Sequence, residues 1–186
     1  MIPFTVSDLP LSGLKLIERE SYLDKRGFLA RLFCSEELRK VGWLKPIAQI
    51  NYSFTKKKGA VRGLHFQHAP YAEMKLVSCV RGEVWDVAVD IRSNSSTFLH
   101  WHAQRLSAKN GRAMMIPEGF AHGFQTLSED CELIYFHTEA YQPNYESALN
   151  VEDPRLAISW PITIEEVSDK DRMHKFIAKD FQGMVI

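Results

Sequence analysis

The sequence predicts a mainly β fold, a sandwich or barrel with a few short helices. Three observations predict it. From Ile47 to His137, short apolar segments follow one another at near-regular spacing, each bounded by turn residues. Several of these segments alternate polar and apolar residues with period two. A clear helix signature occurs once. The chain has 186 residues, 45% hydrophobic and 25% charged, which fits one ordinary globular domain over 1–186 with a full core.

In chain order, Leu14 to Glu20 alternates weakly and reads as a strand. Asp24-Lys25-Arg26-Gly27 is a turn, and Phe28 to Phe33 a second strand. Ser35 is placed to cap a helix over Glu36 to Val41, with acids in its first turn and Gly42 as terminator. Gln49 to Phe54 alternates, with Gln49, Asn51 and Ser53 on one face and Ile50, Tyr52 and Phe54 on the other. Strands follow over Val61 to Gln67 and Met74 to Val80. Arg81-Gly82 makes a hairpin to Glu83–Ile91, where Trp85, Val87, Val89 and Ile91 share one face and Asp86, Ala88 and Asp90 the other. Further strands are expected over Phe98 to Leu106, Ala113 to Ile116, Gly123 to Leu127 and Glu132 to His137. This divides the domain into N-terminal strands and a short helix (1–46), a barrel core (47–140), and a tail (141–186) packed on the barrel. Within that tail Asp169-Lys170-Asp171 is a polar turn.

Composition excludes several function classes. The formal net charge is zero, which argues against a broad nucleic-acid or membrane surface. Lys56-Lys57-Lys58 reads as a solvated turn. No apolar stretch reaches the roughly 18 residues of a membrane span, and the N-terminus lacks a signal-peptide pattern. The three cysteines, Cys34, Cys79 and Cys131, are far apart and odd in number, which points to a reducing cytoplasm. No nucleophile elbow, phosphate-cradling glycine loop or dinucleotide fingerprint is present.

Three constellations carry possible chemistry. Arg62-Gly63-Leu64-His65-Phe66-Gln67 with Lys75 puts two cations, an imidazole and an amide into strands that read as buried. Such a cluster is either a satisfied structural network or a site. A histidine near a cation stays neutral and can take a proton, while a lysine or arginine stabilises an oxyanion. Pro117-Glu118-Gly119-Phe120-Ala121-His122 delivers His122 to the start of a strand, where it could contact a metal, a phosphate or a sugar, or be structural. His100 and His102 form a His-x-His pair with no acid at ligand spacing, so no metal centre is expected. Tyr135 and Tyr141 are either general acids or amphipathic aromatics in the packing.

These stretches together resemble the dTDP-4-dehydrorhamnose 3,5-epimerase family of cupin-fold proteins, from about Ser21 to Asp171. The resemblance rests on Asp24-Lys25-Arg26-Gly27, Gln49-Ile50-Asn51, Val61 to Gln67, Gly82 to Arg92, Ile116 to Phe124 and Ser168-Asp169-Lys170-Asp171. It implies a jelly-roll (cupin) β-barrel and a homodimer with exchanged strands, without metal or redox cofactor. It also implies inversion at C3, C5 or both of a nucleoside-diphosphate 4-keto-6-deoxyhexose through an enolate, in deoxysugar biosynthesis. On that resemblance His65 is the base, Asp171 its carboxylate partner, Lys75 the oxyanion-stabilising group and Tyr135 the acid on the opposite face. Tyr141, Arg26, Gln49, Asn51, Arg62 and His122 match substrate-binding positions. Leu29 and Arg31 stand where the family usually has an aromatic and an acid that help hold the nucleotide. The alternatives are a metal-dependent cupin, an oxygenase or isomerase, and a non-catalytic carbohydrate-binding jelly roll.

Overall fold

The computed structural model describes residues 3–186. The main elements are β1 (Thr5–Asp8), β2 (Lys15–Glu18), β3 (Tyr22–Asp24), β4 (Gly27–Leu29), α1 (Ser35–Arg39), β5 (Gln49–Thr55), β6 (Ala60–Gln67) and β7 (Lys75–Arg81). They continue with β8 (Glu83–Asp90), β9 (Trp101–Ser107), β10 (Arg112–Ile116), β11 (Phe120–Thr126), β12 (Cys131–His137), β13 (Glu146–Ala148), β14 (Glu166–Val167) and α2 (Asp169–Arg172). One six-stranded sheet runs β1-β2-β10-β7-β12-β5; the facing sheet runs β13-β6-β11-β8-β9, with β14 added beside β6. Two sheets closed face to face make the expected jelly roll.

Burial on both faces of each sheet explains the strand sequences. Between the sheets lie Val77, Cys79, Val84, Leu106, Met114, Phe124 and Leu133. Outside the first sheet, Leu76, Met115 and Phe136 meet Leu38 and Trp43. Outside the second, Val87, Val89 and Ile91 meet Val151 and Leu156 of the C-terminal tail, with Trp85 packed against them. The β8 alternation therefore separates two interiors rather than core from water. Its inward residues Asp86 and Asp90 have no exposed surface.

Several boundaries differ from expectation. The N-cap of α1 is Cys34, without a side-chain cap, and Ser35 is the first helical residue. Glu37 instead ties this helix down by accepting from the backbone N–H of Phe4 at 2.9 Å and from Arg31. The second strand is only Gly27–Leu29, paired with β3 as a small hairpin. Phe98 to His100 form turns before β9, because Leu99 has a positive φ of 61°. His122 lies inside β11, not at its start. The polar turn at Asp169–Asp171 is the short helix α2, whose N-cap Ser168 accepts from the Asp171 N–H at 3.1 Å.

Candidate active site

A cavity of about 890 Å³ opens between the sheets. Its walls are the inward residues of β5, β6, β7, β11 and β12, with residues from the tail at its rim. Gln49, Asn51 and Ser53 share one face of β5, as their alternation predicted, and on it Ser53 reaches the Tyr135 hydroxyl and Asn51 lies 3.4 Å from His137 Nε2. Arg62 and His65 both line it although they are three residues apart. The register with β11 shifts here: His65 faces His122, while Arg62 faces Phe124. An extra residue on β6 is a bulge that turns both side chains inward. Gly63 fills that place at φ 122°, where a Cβ would sit 2.5 Å from the Gly123 Cα and 2.7 Å from the His122 carbonyl oxygen. Only glycine fits so close an approach.

The His65 ring is met by a carboxylate, not by the cation that spacing suggested. Nε2 of His65 lies 2.7 Å from Oδ1 of Asp171, which α2 brings from 106 residues away. Asp171 is buried, and its second oxygen faces the Gly63 N–H at 3.5 Å. Burial raises the Asp171 carboxyl, but the bonds to His65 and Ser168 outweigh it and hold the group below its usual range. An ionised carboxylate favours the tautomer with Nε2–H donated to it, leaving Nδ1 free to accept a proton.

Lys75 does not snorkel to water. Its side chain is enclosed in the cavity wall, donating to the His65 carbonyl at 3.1 Å and paired with Glu73 at 3.0 Å. Tyr135 is partly buried in the same wall, and its hydroxyl lies 2.9 Å from the Ser53 hydroxyl. Burial pushes the Tyr135 phenol up, so it is protonated at neutral pH. His122 is buried against Asp86, with Nε2 2.8 Å from Oδ1. Burial pushes the Asp86 carboxyl up, opposed by His122. At the rim the Tyr141 hydroxyl donates to Glu146 at 2.9 Å, and Lys170 pairs with the same carboxylate.

The cavity thus brings together Gln49, Asn51, Arg62, His65, Lys75, His122, Tyr135, Tyr141 and Asp171. It does not include Arg26, Leu29 or Arg31. Arg26 is an exposed hairpin residue bonded to Asp24, and Leu29 is exposed on the same hairpin. Arg31 pairs with Glu37 and lies over the Phe4 ring at 4.7 Å. Sequence reasoning missed Asp86 and Glu73 as partners. Glu73 stands two residues before Lys75, so period two puts both on one side, and the alternation of β8 already set Asp86 on the face opposite Trp85. Among the described residues, no three His, Cys, Asp or Glu side chains converge as a metal centre would require.

A jelly roll whose cavity holds an imidazole–carboxylate pair, an ammonium and a phenol is equipped for acid–base chemistry. The sequence pattern of the family described as dTDP-4-dehydrorhamnose 3,5-epimerase matches residues 8–179. The dTDP-4-dehydrorhamnose 3,5-epimerase of Methanothermobacter thermautotrophicus is 41% identical over 178 residues, spanning 94% of this chain and 95% of that one. The crystal structure of dTDP-6-deoxy-D-glucose-3,5-epimerase from Legionella pneumophila, in complex with dTDP-4-keto-L-rhamnose, superposes with a TM-score of 0.89 at 39% identity, covering 93% and 92% of the two chains. A 3'-monoepimerase from Streptomyces bikiniensis in complex with dTDP-quinovose gives 0.84 at 32%, covering 95% and 87%. The chain belongs to the dTDP-4-dehydrorhamnose 3,5-epimerase family.

Proposed function

We propose that the protein inverts C3 and C5 of a dTDP-linked 4-keto-6-deoxyhexose. The observation that carries this is one cavity holding an imidazole–carboxylate pair, an enclosed ammonium and a partly buried neutral phenol. A C4 ketone acidifies the protons on C3 and C5. His65 Nδ1 removes one of them, and the C–H electron pair moves through the ring carbon to O4. Lys75 stabilises the enolate oxygen that results. Asp171 stabilises the imidazolium. When the enolate collapses, Tyr135 gives its proton to the carbon from the opposite face, and its phenolate regains one from solvent as His65 loses its own. Arg62, Gln49, Asn51, His122 and Tyr141 hold the sugar nucleotide. None of these steps changes an oxidation state.

A second copy of the chain completes the reading. Leu23 and Phe28 on the β3–β4 hairpin are 82% and 70% exposed, and Tyr52, on the outer side of β5, is 62% exposed. β5 ends its sheet, so its outer edge is unpaired. A homodimer covers both surfaces, and an exchanged hairpin would carry Arg26 and Leu29 towards the partner's nucleotide, while Arg31 stays behind it on Glu37. The three unpaired cysteines fit a reducing cytoplasm, and among the described residues no helix is long and apolar enough to cross a membrane.

The test is uptake of solvent deuterium into a dTDP-linked 4-keto-6-deoxyglucose, followed by NMR at C3 and C5. Exchange with inversion at both carbons is the expected result. Absence of exchange with dTDP-, UDP-, GDP- and CDP-linked 4-keto sugars alike would overturn it. Exchange at C3 alone would make the protein a monoepimerase.

A further inference from the structure

An anion stands in the wall of a cavity that has to receive an anion. Glu73 lines the cavity beside Lys75, and both side chains are less than a tenth exposed, at 9% and 7%. A carboxylate there opposes a negative charge growing on a substrate oxygen, so it must contribute something that offsets that penalty.

Its contacts show what that is. The Lys75 ammonium has three N–H donors. One goes to Glu73 Oε1 at 3.0 Å and one to the His65 carbonyl at 3.1 Å. Two fixed bonds set the axis of the group and leave the third N–H for the cavity. Glu73 is held in turn. Its Oε2 accepts from Gln67 Nε2 at 2.9 Å and lies 3.6 Å from His137 Nδ1. Gln67 also donates to the Tyr71 carbonyl and accepts from the Gln142 N–H. A continuous set of bonds therefore runs from β6 and the segment after β12 to the ammonium. Burial raises the Glu73 carboxyl, yet Lys75 and His137 outweigh it and hold it at about 2, so it is an anion at neutral pH. A free lysine side chain keeps its rotamer entropy and samples many directions. An anchored one is already aimed when the reaction begins.

We propose that Glu73 is a positioning residue for the epimerisation, acting through Lys75: its carboxylate oxygen holds the ammonium where the O4 oxyanion forms. This rests on the reaction proposed above. Two substitutions separate aim from bulk. Glu73→Leu removes the acceptor, and Glu73→Gln keeps an acceptor oxygen without the charge. The rate and KM of deuterium uptake from the dTDP-linked 4-keto sugar are measured for each, with binding of dTDP alone by calorimetry. Glu73→Leu is expected to lower kcat by about 30-fold or more, with KM and dTDP affinity within threefold of wild type. Glu73→Gln should recover at least tenfold of that loss. A leucine variant within threefold of the wild-type kcat overturns the inference, as does a glutamine variant as slow as the leucine one. If Glu73→Leu does not fold, Glu73→Ala is held to the same thresholds. A wild-type chain without exchange refutes the underlying reaction, whereas normal wild-type exchange with unaffected variants refutes only the role of Glu73.

Discussion

Replacing Asp171 by asparagine removes one charge from beside His65 and leaves the backbone around it in place. The Ser168 cap on the Asp171 N–H is untouched. In the proposed reaction His65 takes the substrate proton and becomes an imidazolium 2.7 Å from the carboxylate oxygen. With charge centres about 4 Å apart and an effective dielectric of about 20, that attraction is about 4 kcal/mol at full transfer. With the proton half transferred at the transition state, about 2 kcal/mol is lost, a rate reduction of about 30-fold. If the new amide turns its NH2 towards Nε2, the imidazole adopts the other tautomer and the loss is larger. The assay is deuterium uptake at saturating sugar nucleotide, with the melting temperature as a check on folding. A folded Asp171→Asn variant within threefold of the wild-type kcat would refute the dyad.

Two other perturbations test the remaining groups. Tyr135→Phe removes the acid but not the base, so deuterium should still exchange from the His65 side while inverted product falls at least tenfold, read by NMR; equal losses of exchange and inversion would count against the two-face scheme. Acid should also weaken the fold through Glu73. Its carboxyl is held at about 2 against an ordinary 4.5, so its contribution is complete above pH 4.5 and is lost as pH falls towards 2. Between pH 4.5 and 3 the loss amounts to about 1 to 2 kcal/mol, measured by urea denaturation, and Glu73→Gln should lack this share of the decline.

Much of the roll was legible because its strands are short and their alternation is regular. The two faces of β8 were separable from sequence, as were the lining and outer faces of β5. The bulge on β6 was not. Nothing local to Arg62 and His65 says that a residue is inserted between them; the close approach of Gly63 to Gly123 on another strand decides it. The charge beside His65 was misjudged from spacing for the same reason. The nearest cation in sequence is Arg62, but the group that reaches the ring comes from α2, and only the family resemblance pointed to it. At α1 the cap falls one residue earlier, on Cys34, and the helix is tied to the N-terminal segment through Glu37, a contact no helix rule contains.

The delivery of Asp171 by the tail has a consequence for biosynthesis. A nascent chain that has finished β12 already carries its base, its ammonium and its phenol. It still lacks the carboxylate, and the outer side of β6, β11 and β8 is bare of Val151 and Leu156. The His65–Asp171 pair and the sealing of that greasy exterior therefore arrive in the same late stretch of translation, so an unfinished product on the ribosome lacks the pair and is sticky.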